Sequence, residues 1–177
     1  MAIAVTGRKK RLVLDIGASA VRLCEMSKTK TGYQLVRYVQ REFDSDPALS
    51  EEQRRELRVK ATAEVLKQSK SRLAKTVFGV PGQSVFTRTR TLPPVPEFKV
   101  NQIVKYEIQQ QIPFGLDQLA MDYQFLDRSA QGGYEVLMAA IKVEVVEKHL
   151  DVLKAVKRSP ALVDVCPLAA YNWVKQA

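Results

Sequence analysis

In the stretch RLVLDIGASAVRL, Arg11 to Leu23, Asp15 closes an apolar run two residues before Gly17, and Ala18 and Ser19 follow. A carboxylate beside a glycine turn suits phosphate chemistry. Backbone N–H groups of Gly17, Ala18 and Ser19 could converge on an anion as a nest. Gly17 admits close backbone approach, and Ser19 adds a hydroxyl donor. Asp15 would hold Mg²⁺ through water, because that ion keeps part of its hydration shell. Arg22, opening the next segment, would add positive charge. The same residues also describe a plain hairpin with no ligand. The pattern is neither the P-loop nor the dinucleotide fingerprint, and it leads into a strand rather than a helix.

Other chemistries find little support. A single histidine, His149, rules out a histidine-rich metal centre, and Cys24 and Cys166 stand far apart without metal spacing. The economical reading is two buried, reduced thiols. His149 falls mid-helix among charged residues and is expected to be solvated, so no nucleophile–base–acid triad is assembled and no catalytic residue is assigned. The net charge of +9 comes from 28 basic and 19 acidic residues. The basic groups are scattered over GRKKR at 7–11, EEQRRELRVK at 51–60 and VKR at 156–158, so they form no nucleic-acid footprint. The amino terminus lacks the pattern of a secretory signal, and runs such as VLMAAI are too short to span a bilayer. The expectation is a cytoplasmic protein that meets the membrane only through a partner.

The elements that would position these residues follow from periodicity. RLVLDIG, AVRLCEMS and GYQLVRYVQREF read as three antiparallel strands, with Val21, Leu23 and Glu25 alternating against Arg22, Cys24 and Met26. Ser50 and Gln53 make a capping box for a helix whose stripe is Leu57, Ala61, Val65, Leu66 and Leu73. KTVFGVPG is a short buried strand. SVFTRTRT then places Val85, Thr87 and Thr89 on one face and Phe86, Arg88 and Arg90 on the other, until prolines stop it. A helix with Val100, Ile103, Val104, Ile108 and Ile112 ends before Pro113, and Phe114 beyond it reads as core. MDYQFLD and YEVLMAAIK are two strands joined by RSAQGG. A helix with Val146, Leu150, Leu153 and Val156, the strand ALVDV, and a short helix from Pro167 through Trp173 complete the chain.

In this order, five segments resemble one family. LDIGASAVRLCEM is similar to the opening motif of the actin-like ATPase superfamily, and more closely to that of the PilM family of type IV pilus assembly, which is related to FtsA. VFGVPGQSVFTRTRTLPP, YEIQQQIPFGLDQLAMDYQFL, VLMAAIKVEVVEKHLDVL and ALVDVCPLAAYNWV match later family segments, so the resemblance runs from about Arg11 to Trp173. The family usually has Ser for Ala18, Lys for Arg22 and often an acid for Cys166.

The resemblance implies an α/β fold: half of an actin-like (ribonuclease H-like) fold with an inserted small α+β subdomain. Residues 1–82 and 161–177 would form the first actin-like subdomain, and 83–160 the insertion. It implies Asp15, Gly17, Ala18, Ser19, Ala20 and Arg22 as an ATP phosphate loop, with Asp15 on Mg²⁺ through water. The family's second phosphate loop has no counterpart here, since DIG is not repeated, so ATP and Mg²⁺ binding is expected to be weak or absent. It also implies a scaffold that binds the amino-terminal peptide of a PilN-like inner-membrane protein, with other pilus platform components as further partners and no nucleic acid. Arg88 and Arg90 on the strand, and Tyr106 and Gln110 on the following helix, are the candidate peptide contacts. The alternatives are a cytoplasmic domain of a type II secretion platform protein, or an actin-like ATPase active only with its second half.

Overall fold

The computed structural model describes residues 10–70, 76–130 and 132–176. Leu73 of the expected helix stripe, most of the GRKKR run, Gln131 of the RSAQGG turn and the side chain of Trp173 lie outside the described residues. The chain divides into two compact units, Met1–Pro81 with Lys148–Ala177, and Gly82–Glu147. The second division falls at 147/148 rather than after 160.

In the first unit, β1 (Lys10–Ile16), β2 (Ala20–Lys28) and β3 (Tyr33–Glu42) pair antiparallel in succession. Helix α1 (Glu51–Ser69) then carries the chain over to β4 (Thr76–Val80), which lies parallel to β1, and β8 (Pro160–Val165) lies parallel to β4. The sheet order is β3-β2-β1-β4-β8. One sheet face is the core: Leu12, Leu14, Ile16, Val21, Leu23, Phe78 and Val80 are all at most 4% exposed. Ala61 and Val65 of α1 belong to the same core, and Arg41 of β3 reaches Glu64 of α1 at 2.7 Å. Glu25, in line with Val21 and Leu23, is buried among them and is held by Lys10 at 2.9 Å and Arg37 at 3.8 Å. Burial of a carboxylate is tolerable only with such partners.

The capping box at Ser50 and Gln53 is formed in both directions. The buried stripe of α1, however, is Ala61, Thr62, Val65 and Ser69, with Leu57 and Leu66 only half-buried. Thr62 donates to the Arg58 carbonyl at 2.6 Å and Ser69 to that of Leu66 at 2.8 Å. The helix thus satisfies its own hydroxyls, and two polar residues can face the core.

Strand β3 forms an edge of this sheet. A bulge leaves Val36 without a partner between Arg37, opposite Glu25, and Leu35, opposite Met26. Only Val39 of the strand is buried.

The second unit is a three-stranded antiparallel sheet, β5-β7-β6, from β5 (Val85–Leu92), β6 (Leu119–Arg128) and β7 (Tyr134–Lys142). Helix α2 (Glu97–Gln111) lays Val100, Val104 and Ile108 against Leu92, Leu119, Val136, Met138 and Ala140. The i, i+4, i+8 spacing of the three helix residues is one stripe. Ile112 turns extended ahead of Pro113 and ends the helix.

Helix α3 (Val143–Ala155) follows β7 directly and buries Val152 and Leu153, and α4 (Cys166–Gln176) follows β8. Val156, expected in the stripe of α3, lies just past its end. His149 is half-buried rather than solvated, its ring 6.4 Å from that of Phe78. The expectation failed because the charged neighbours of His149 in sequence lie on other faces of the helix. Phe114 is 36% exposed rather than core, with the Lys142 ammonium 3.5 Å from its ring centroid.

Candidate functional site

Register brings four positions into one row across four strands. Arg22 on β2 pairs directly with Asp15 on β1, Asp15 with Gly79 on β4, and Gly79 with Asp164 on β8. Directly paired residues project from the same face of a sheet. This face is opposite to the Leu12–Leu14–Ile16 core, and it also carries Cys24, two residues beyond Arg22. The row lies near the carboxyl ends of the parallel strands β1, β4 and β8, where open α/β sheets present ligand sites.

Asp15 has one neighbour at each oxygen. The guanidinium Nη1 of Arg22 stands 3.2 Å from Oδ2, and the Cys166 sulfur lies 4.0 Å from Oδ1, at the outer limit of a thiol hydrogen bond. Arg22 and Asp15 each leave 43% of their side chains exposed. The Cys166 sulfur lies over Gly79, so that it fills the notch between Asp15 and Asp164 left by the missing side chain. Asp164 accepts from the Val165 N–H at 2.7 Å. Both thiols are half-buried rather than fully buried, and both are free. Burial, then the Asp15 carboxylate, then Asp164 push the Cys166 thiol up against a smaller opposing effect of a backbone hydrogen bond; burial and then Asp15 push Cys24 up.

The turn itself is a tight hairpin. The Gly17 N–H donates to the Ala20 carbonyl at 2.9 Å, and the Ser19 carbonyl accepts from Phe43 N–H at 2.9 Å. Ala18 and Ser19 are exposed and Ala20 is buried. None of residues 17–20 has a positive φ, so the alternating right- and left-handed backbone of a nest is not formed. The expected convergence of three N–H groups is therefore corrected: that of Gly17 is committed within the hairpin. What faces solvent is the Ala18–Ser19 tip.

These residues fit Mg²⁺ poorly. That ion prefers carboxylate, phosphate and water oxygens in an octahedron. Here the one carboxylate at the turn is shared by a cation and a thiol, and sulfur is a poor ligand for so hard a cation. Among the described residues, no group of three or more His, Cys, Asp and Glu is arranged to hold a metal ion.

The expected peptide contacts separate into two places in the second unit. Arg88 and Arg90 pair with Met138 and Val136, so they lie on the sheet face that α2 covers. Arg88 lies over the Phe86 ring at 5.3 Å, and Arg90 reaches Glu107 at 3.7 Å. Tyr106, 61% exposed, and Gln110 sit one turn apart on α2, roughly opposite its buried stripe. Sequence reading missed a cluster at the far end of the sheet. Phe125 meets Tyr123 edge to face at 5.6 Å and Tyr134 at a tilt at 5.1 Å, and Arg128 lies 5.5 Å over Tyr134. The alternation of Tyr123 and Phe125 was its only available signal.

A five-stranded mixed sheet of this order, with a small α+β unit carried between its fourth and last strands in the chain, is the first half of an actin-like, ribonuclease H-like fold. Residues 13–176 match the family described as type IV pilus assembly protein PilM, and the chain belongs to that family. Among solved structures it is similar to a chain of the "PilM-PilN type IV pilus biogenesis complex", with a TM-score of 0.77 and 24% identity over 95% of this chain and 51% of that one. It is also similar to the cytoplasmic domain of EpsL, an inner-membrane component of the type II secretion system of Vibrio cholerae. There the TM-score is 0.58 and the identity 11%, over 89% of this chain and 57% of that one. The chain spans little more than half the length of either.

Proposed function

We propose that this chain is part of a cytoplasmic scaffold of type IV pilus assembly, which takes the amino-terminal segment of a PilN-like inner-membrane protein. The observation that carries the reading is the family match over residues 13–176, together with the fold likeness to a PilM chain described in complex with PilN. In this reading the scaffold meets the membrane through that partner. No described helix is long and apolar enough to cross one. The second unit supports the reading physically. Strand β5 is a sheet edge, and an extended peptide can add to such an edge through main-chain hydrogen bonds. Arg88 and Arg90 are on that strand.

Calorimetric titration with a synthetic PilN-type amino-terminal segment tests this. Saturable binding is expected, and absence of heat at millimolar peptide would overturn the reading. Because the two residue pairs face different ways, a single peptide path engages one of them. Either Arg88→Glu with Arg90→Glu, or Tyr106→Ala with Gln110→Ala, should weaken binding about tenfold, near 1.4 kcal/mol. The other pair should leave it unchanged. A second reading, a platform component of type II secretion, draws on the likeness to the EpsL domain. It would be favoured if the chain ignored the PilN-type peptide and retained a type II secretion partner.

A further inference from the structure

We infer that Asp15 serves this chain as an internal latch and not as a magnesium ligand. Its carboxylate stands where three elements distant in sequence meet: β1 through its own backbone, β2 through Arg22 at 3.2 Å, and the β8–α4 junction through the Cys166 sulfur at 4.0 Å. The phosphate-loop resemblance predicts the opposite, namely a carboxylate oxygen turned to a hydrated cation. Three observations stand against it together. Oδ2 already faces a guanidinium at 3.2 Å, which repels a second cation. Oδ1 has the Cys166 sulfur 4.0 Å away, and that sulfur fills the notch above Gly79 beside the carboxylate. The first N–H of the turn is spent on Ala20, so the tip offers a smaller cradle for an anion that would bring its own metal.

Asp164 does not repair the deficit. Its register places it two strands from Asp15 with Gly79 between, and one of its oxygens accepts the Val165 N–H. The sulfur between the two acids is a neutral, soft donor, which hard Mg²⁺ disfavours. The inference concerns these residues alone and does not depend on the peptide-binding reading.

Mn²⁺ reports on carboxylate–metal binding without needing nucleotide or any further part of the protein. Its binding to this chain, followed by electron paramagnetic resonance, is expected to be identical for wild type and Asp15→Asn. A tenfold or greater loss of affinity in Asp15→Asn would overturn the inference, since ligand-level changes at metal sites have at least that effect. Thermal unfolding supplies the second arm. Asp15→Asn and Cys166→Ala should each lower Tm by about 2 °C, and the double variant should fall no further than the lower single variant. Additive losses would mean that the carboxylate and the thiol act independently, and the latch would be refuted.

Discussion

The sulfur of Cys166 lies over Gly79 so closely that a Cβ on residue 79 would come within 2.6 Å of it. Contact at that distance forces either the strand or the cysteine to move. Gly79→Ala is expected to cost about 1–3 kcal/mol, the usual range for overpacking a tight site. In the double variant Gly79→Ala, Cys166→Ala most of that loss should return. Urea unfolding of the four-member cycle measures the coupling, and a double variant as unstable as the sum of the singles would show that the crowding lies elsewhere.

Two residues past the end of α3, Lys157 sits in the left-handed region, with φ of 56°. Its N–H donates to the Lys154 carbonyl at 2.9 Å, and that of Arg158 to Leu153 at 2.8 Å, which is the Schellman pattern. A side chain at that position carries a backbone penalty that glycine avoids. Lys157→Gly should therefore stabilise the fold by up to about 1 kcal/mol despite glycine's greater freedom when unfolded. The check is a rise in denaturation midpoint at unchanged slope.

Ser50 accepts from the Gln53 N–H at 3.2 Å while the Gln53 side chain accepts from the Ser50 N–H at 2.9 Å. Ser50→Ala removes one arm of this cap and should cost about 1 kcal/mol. Ser50→Asp keeps an acceptor beside the positive helix end and should cost much less. Equal losses from both changes would mean that the cap contributes little.

Both thiols are pushed up, chiefly by burial and secondarily by Asp15. Where a folded thiol ionises later than the unfolded one, the native state holds the extra proton. Stability is then fully present below the ordinary thiol value of about 8.5 and falls as pH rises beyond it. Comparing wild type with Cys24→Ala, Cys166→Ala in urea between neutral and strongly alkaline pH isolates this effect. Wild type should lose ground to the variant only on the alkaline side, and its thiols should react slowly with iodoacetamide near neutrality.

The parts of this structure legible in the sequence are those decided locally. Alternation at Val21, Leu23 and Glu25 marks the buried face of β2, including a carboxylate that finds two cations. Ser50 and Gln53 mark a helix start because both arms of the cap lie within one turn. The α/β class also follows from local periodicity joined to the family resemblance. What escapes is whatever depends on distant pairing. Nothing near Asp15 in sequence says that Gly79, Asp164 and Cys166 will surround it, since parallel pairing with β4 and β8 spans long connections. Nor does the Phe86, Arg88, Arg90 alternation say which face α2 will cover. It is the face with the arginines, and their long side chains share it with Phe86 and Leu92.

The unpaired Val36 has a bearing on how this molecule keeps to itself. A ten-residue outer strand showing Tyr33, Leu35 and Tyr38, each more than half exposed, would otherwise be a straight ribbon inviting like ribbons to stack beside it. One surplus residue breaks the even spacing of its outward amides, so a neighbour aligned on one half is misaligned on the other. Excising that single valine should leave the hydrophobic interior untouched and raise turbidity above that of the parent chain at equal concentration.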